Sequence, residues 1–179
     1  MFMLIYKSYF FQFLSFMNEK LSFLEKLGKV FVHERAFIEG KVELGENVSV
    51  WPFAVLRGDE GTIKIGKNTS IQDCCVLHGS VLIGKNVTVG HAAVVHNAKI
   101  GSNVLIGMNA TILDNAEVED WVIVAAGSVV KPNSVLESGY LYAGNPAKKK
   151  RKLTKADREL IVNSYKEYLK KIKERIHRL

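Results

Sequence analysis

Three histidines, an arginine and an aspartate stand at spacings that a coiled chain would turn into columns of side chains. His78 and His96 are 18 residues apart, and each follows an aliphatic residue, Leu77 and Val95. Arg57 follows Leu56 in the same way, 21 residues before His78, while His91 lies 18 residues after Asp73, each two places past an aliphatic residue. Neutral imidazoles hold divalent transition ions, and three of them with an open fourth position are what a catalytic Zn²⁺ requires, at about 2.0–2.1 Å per nitrogen. The chemistry to expect of such a centre is attack by water on an electrophilic carbon, because the ion withdraws charge from the water it binds. Ordinary polar surface histidines are the plainer reading. Two of them in one register, with Arg57 and Asp73 in the same columns, favour the metal.

The elements that must position these residues are short. Aliphatic residues recur every six positions, at Ile38, Leu44, Val50, Leu56, then after three inserted residues at Ile65, Ile71, Leu77, Ile83, Val89, Val95, and after a one-residue deletion at Ile100, Ile106, Ile112, Val118, Val124, Val130. All sixteen are Ile, Leu or Val and thirteen are β-branched, which suits extended segments rather than helices. Four places later the side chain is mostly small or β-branched, from Val42 to Ser134, outside the insertion after Leu56 and with Lys99 beside the deletion as the exception. Cys75 falls in this second column and reads as a small core residue. Gly66, Gly84, Gly90, Gly101 and Gly107 each follow an aliphatic position, where a tight corner is expected to favour a residue without Cβ. Six-residue units of this kind are the signature of a parallel β-helix whose inner surfaces stack coil on coil.

The pattern resembles that of the hexapeptide-repeat proteins, in which three hexads make one triangular coil. The resemblance implies a mainly β fold, a left-handed parallel β-helix. Residues 18 apart then stack at about one strand spacing, ~4.8 Å. Arg57, His78 and His96 become one outward column, and Asp73 and His91 a second on the preceding face. Two faces of one prism cannot aim at a common point away from their shared corner. Three copies about a threefold axis solve this, because the His91 face of one chain meets the His78–His96 face of the next, so a homotrimer is expected.

The segments VWPFAVLRGDEG (50–61), IGKNTSIQDCCVLHG (65–79) and VTVGHAAVVHNAKIG (87–101) together resemble the γ-class carbonic anhydrases. The similarity spans most of residues 36–153. It implies hydration of CO₂ to bicarbonate by metal-bound hydroxide at a subunit boundary, with His78, His91 and His96 as metal ligands and His91 supplied by the adjacent chain. Zn²⁺ is the expected ion, and imidazole also suits Fe²⁺ and Co²⁺. The resemblance also implies an Arg57–Asp59 ion pair at the boundary with Arg57 near bicarbonate, although a purely structural role for the pair is equally open. It gives Gln72 the task of orienting the water, Asp73 that of accepting a hydrogen bond near the ligands, and Tyr142 a site-lining position. The chain departs from the family after the first ligand: Gly79 and Ser80 follow His78 at once, where a longer acidic loop carries a glutamate proton shuttle. Glu60 matches another family glutamate. Slow, buffer-dependent turnover is the expected consequence. The alternatives are acyl transfer from coenzyme A with a histidine base, a thioesterase on the same metal site, and a non-catalytic metal-binding trimer.

The rest of the chain bounds these readings. Its 179 residues, 47% apolar and 24% charged, fit one domain with a core of its own. The net charge of +7 is local: residues 148–179 hold 13 Lys/Arg against 4 Asp/Glu, and residues 1–147 hold 12 against 14. The basic run is read as a solvated face, so no nucleic acid is expected. Adjacent Cys74 and Cys75 cannot staple distant segments, which points to the cytoplasm. Residues 1–16 are apolar but too short and interrupted for a membrane span, and are read as an extension rather than a cleaved signal. Residues 1–35 are thus a lead-in, 36–135 the β-helix and 136–153 a strap. Residues 154–179 are read as a helix opening on a capping box of Thr154 and Asp157, with an apolar stripe at Ile161, Tyr165, Leu169, Ile172, Ile176 and Leu179.

Overall fold

A computed structural model describes residues 30–176. The expectations for residues 1–29, including the 1–16 segment, and for Leu179 and the Ile176 side chain lie outside them. The six-residue period becomes a left-handed parallel β-solenoid of about six turns, followed by one helix. One face is built from Phe31–Val32, Ser49–Val50, Ser70–Ile71, Thr88–Val89, Leu105–Ile106, Ile123–Val124 and Tyr140–Ala143, all parallel in register. The other two faces share a sheet because Phe37–Leu44 and Val55–Ile65 run unbroken around the corner between them. The second face continues through Val76–His78, Val94–His96, Thr111–Ile112 and Val129–Val130. The third continues through Val81–Ile83, Lys99–Ile100, Glu117–Val118 and Val135–Leu136.

The aliphatic column forms the core: Val50, Leu56, Ile71, Leu77, Val89, Val95, Ile106 and Ile112 are fully buried. Val32 stacks under Val50, and Leu136 and Tyr142 stack on Val118 and Val124. The solenoid therefore begins before residue 36 and outlasts residue 135, because residues 32, 136 and 142 extend the same six-residue count. The exception at Lys99 has a simple cause. The deletion falls before Ala98, which takes the inward place at 2% exposure, while Lys99 points outward to Glu117 at 2.8 Å.

Corner chemistry differs from the expectation for the glycines. Gly66, Gly84, Gly90, Gly101 and Gly107 are not in the left-handed region; that conformation is taken mostly by asparagines, among them Asn47, Asn68, Asn86, Asn103, Asn109, Asn115 and Asn133 with φ between 56° and 60°, and also by Phe53, Cys74, Ala92 and Trp121. Asn tolerates this region because its short polar side chain bonds locally. Here Asn47, Asn68, Asn86 and Asn103 also form a ladder of Nδ2–H···Oδ1 bonds, each 3.0 Å. The glycines answer a different need, close stacking of one coil's backbone on the next: a Cβ on Gly66 would lie 2.6 Å from the Gly84 carbonyl carbon.

After Ala143 the chain turns back and Lys148–Lys152 pairs antiparallel with Tyr140–Ala143, its five side chains exposed. The helix, α1 (Lys155–Ile176), opens as expected: Thr154 N–H donates to Asp157 Oδ2 at 2.7 Å and Asp157 N–H donates to Thr154 Oγ1 at 3.2 Å. It lies along the outside of the first face, burying Ile161 and Ile172 and setting Tyr168 edge-on to Trp51 with ring centroids 5.1 Å apart. Burial pushes the Tyr168 hydroxyl up to about 12. Among the described residues, no helix is long and apolar enough to cross a membrane.

Candidate functional site

Parallel pairing places Arg57 beside His78 and His78 beside His96 on the second face. The two imidazoles stack with ring centroids 5.1 Å apart and planes inclined by 45°. The three-residue insertion after Leu56 is absorbed within Val55–Ile65 and carries Asp59 and Glu60 to the same place. Arg57 Nη2 donates to Asp59 Oδ2 at 2.7 Å; this bond raises the Arg57 guanidinium above its ordinary value and holds the Asp59 carboxyl below the usual carboxylate range. His78 Nε2 stands 3.5 Å from Asp59 Oδ1 and 3.8 Å from Glu60 Oε2. It is buried and has no hydrogen-bond partner.

His96 is held differently. Its Nδ1 lies 2.9 Å from Asp114 Oδ1, and Asn97 Nδ2–H donates to the same oxygen at 2.9 Å. The Asn97 bond is the main reason why the Asp114 carboxyl sits below its ordinary value, with burial opposing it. Asp114 was not singled out by the spacing argument, although it lies 18 residues after His96, one coil above.

His91 sits at the corner between the first and second faces. Its Nδ1 is 3.0 Å from Asp73 Oδ2, and its backbone N–H donates to Gln72 Oε1 at 3.1 Å. Gln72 is buried, at 6% exposure, so the carbonyl end of its amide is committed to the corner that carries His91. Two groups of candidates result: Arg57, Asp59, His78 and His96 on one face, and Gln72, Asp73 and His91 at the neighbouring corner. Tyr142 joins neither. It stacks on Val124 inside the prism, 5% exposed, with its hydroxyl accepting the Glu137 N–H at 2.8 Å. The site-lining position implied for it does not occur within this chain, because residue 142 falls on the inward six-residue count.

The donor set suits a borderline divalent cation. His91 and His96 each face a carboxylate through Nδ1, the arrangement that fixes a ligand imidazole and leaves Nε2 free to coordinate. The Nε2 of His78, which makes no hydrogen bond and stands 3.5 Å from Asp59 Oδ1, is a third candidate nitrogen. Among the described residues, no three His, Cys, Asp or Glu side chains of one chain come together as a metal cage. A cleft of about 440 Å³ opens beside Asp114, lined also by Ser80, Asn97, Lys99 and Glu117. Cys75 is fully buried inside the prism, and desolvation pushes its thiol up to about 12, as an inert core residue should be.

Comparisons with known proteins agree with this architecture. Residues 97–132 match the bacterial transferase hexapeptide (six repeats) family. A hexapeptide transferase family protein from Anaplasma phagocytophilum is 36% identical, with 81% of this chain and 92% of that chain covered and a TM-score of 0.74. A putative acetyltransferase from Bacillus cereus is 31% identical, with 80% and 89% covered and a TM-score of 0.64. A probable carbonic anhydrase from Methanocaldococcus jannaschii is 53% identical over 45 residues, which are 25% of this chain and 28% of that protein. The chain thus spans little more than a quarter of the length of that curated relative.

Proposed function

Since this chain belongs to the hexapeptide-repeat transferase family, whose members are mostly enzymes, we propose that it is a metal-dependent enzyme of the γ-carbonic anhydrase kind, interconverting CO₂ and bicarbonate between subunits of a homotrimer. The observation that carries this reading is the state of the three imidazoles: two are tied through Nδ1 to carboxylates, and the third keeps a buried Nε2 that makes no hydrogen bond, with the Asp59 carboxylate 3.5 Å away. The local likeness to a probable carbonic anhydrase supports it.

His78 and His96 of one chain and His91 of the next would hold Zn²⁺, Fe²⁺ or Co²⁺. When bound, such an ion supplies Lewis acidity that makes water a nucleophile near neutral pH. The chain's own residues supply the remainder. Asp73 and Gln72 fix the ring and the backbone of His91, so that its corner presents one nitrogen outward. Arg57, kept cationic by Asp59, offers a donor to the bicarbonate anion, and Asp59 in turn keeps the guanidinium from swinging into solvent. Glu60, exposed at the mouth and 3.8 Å from His78 Nε2, is placed to pass protons to buffer. The tight Gly79–Ser80 turn brings no further acid there. Proton export therefore limits turnover, and the rate rises with buffer concentration.

A second reading, acyl transfer from a thioester, is favoured by the similarity to a putative acetyltransferase and by the cleft that Asn97 and Asp114 line. Metal content of anaerobically purified protein, measured beside stopped-flow CO₂ hydration at two buffer concentrations, separates them. Bound metal with buffer-dependent hydration is expected. Bound metal without turnover refutes the enzyme and leaves a binding module, and absence of metal with binding of acyl-coenzyme A establishes the transferase.

A further inference from the structure

We propose that Asp114 is a positioning residue: it holds the proton of His96 on Nδ1 and so aims the Nε2 lone pair into the ligand set, an assignment that rests on the metal reading above. His96 Nδ1 has two polar neighbours, Asp114 Oδ1 at 2.9 Å and Asn97 Nδ2 at 3.4 Å. The Asn97 amide carries two N–H donors: one goes to Asp114 Oδ1 at 2.9 Å and the other stands a long 3.4 Å from Nδ1, whereas a carboxylate can only accept. The shorter contact therefore decides the tautomer, with N–H at Nδ1 and a free lone pair at Nε2.

The deletion in the repeat is what builds this contact. His78 pairs with His96 and Leu82 with Lys99, so the corner after His96 covers in three steps what the corner after His78 covers in four. The shortened corner puts Asn97 at φ 45° directly over the Gly79–Ser80 turn. Asn97 Oδ1 accepts the Ser80 N–H at 2.8 Å, and a Cβ on Gly79 would overlap that oxygen. One coil further on, Asn115 N–H donates to the Asn97 carbonyl at 2.7 Å, and Asn133 N–H donates to the Asp114 carbonyl at 2.8 Å. Ser80, Asn97, Asp114 and His96 thus form one chain of hydrogen bonds across three coils. In place of an acidic loop after His78, this protein has a short turn whose Ser80 N–H, donated to Asn97 Oδ1, anchors the clamp on the other ligand of the same face.

The test uses full-length protein and Co²⁺ as probe. Nitrogen-15 NMR of the metal-free protein at mildly alkaline pH is expected to show His96 protonated at Nδ1, and Asp114→Ala to lose that preference. The Co²⁺ dissociation constant should rise about 10–100-fold in D114A, the range for removing an outer partner of a ligand histidine. D114N, which keeps an acceptor oxygen without its charge, should fall between, and it carries the test if D114A does not fold. E117A in the same cleft should match the wild type. Unchanged Co²⁺ affinity in both Asp114 variants, or a His96 tautomer that ignores them, overturns the proposal. Wild-type protein that takes up no Co²⁺ overturns the metal reading instead, and the tautomer measurement, which needs no metal, tells the two failures apart.

Discussion

Replacing Gly66 by alanine tests whether close coil stacking, rather than backbone freedom, is what the repeat's glycines provide. The added Cβ would stand 2.6 Å from Gly84 C, 2.7 Å from Gly84 O and 2.9 Å from Lys85 N. Carbon contacts are comfortable from about 3.5 Å, so the coils must part locally by close to 1 Å. Gly66 N–H donates to Ile83 O at 2.8 Å and Asn86 N–H donates to Lys67 O at 2.9 Å, and both rungs bridge the coils that would separate. Stretched past about 3.6 Å, neither remains a hydrogen bond. Two lost rungs, partly left without partners, cost about 2–4 kcal/mol together. For a chain of this size that lowers the melting temperature by roughly 5–15 °C. Asn68→Gly makes the contrast: the position already has φ 60°, and only the asparagine ladder is lost, so the cost stays near ~1 kcal/mol. Circular dichroism melts of the two variants decide. If G66A melts within about 2 °C of wild type, well inside the expected shift, the stacking argument is wrong.

Other predictions concern the thiols and the helix. At most one thiol, Cys74, reacts with a disulfide reagent in native protein, and Cys75, fully buried, reacts only after unfolding; two fast thiols before unfolding would contradict the core placement. Asp157, hydrogen-bonded by Arg151 and Thr154, is held well below the usual carboxylate range. Its folded value is depressed, so its contribution is complete above the ordinary value of about 3.9 and is lost as pH falls through the folded value. Acidification should therefore loosen α1 and change the fluorescence of Trp51 as Tyr168 leaves it; D157N should show that change already at neutral pH, and a variant indistinguishable from wild type in both respects would refute the capping account.

The fold was legible because a hexad repeat leaves a column of aliphatic residues that little else explains, and the same count placed His78 one coil below His96 and Asp73 one coil below His91. What escaped the count were features that depend on three-dimensional fit. The glycines are required by contacts across coils, which no spacing within one coil shows, and most left-handed corners fall to asparagines whose ladder was visible at Asn68, Asn86 and Asn103 only once the pitch was known. Tyr142 looked like a strap residue because the count stopped at Val130, although two further steps reach it. Asp114 stands 18 residues after His96, the spacing of the columns, but the hexad count, shifted by the deletion, put it two places past Ile112 and so outside the His96 column.

The central claim is that one cation is shared by imidazoles from two chains. Co-expression of H78A with H91A tests it directly, because each variant alone lacks one ligand at every site. If trimers mix at random, about a quarter of the boundaries join the intact His78–His96 face of one chain to the intact His91 of the next. The account predicts no tightly held metal in either variant alone and recovery of roughly that fraction in the mixture; full metal content in a single variant, or none in mixed trimers, would contradict it.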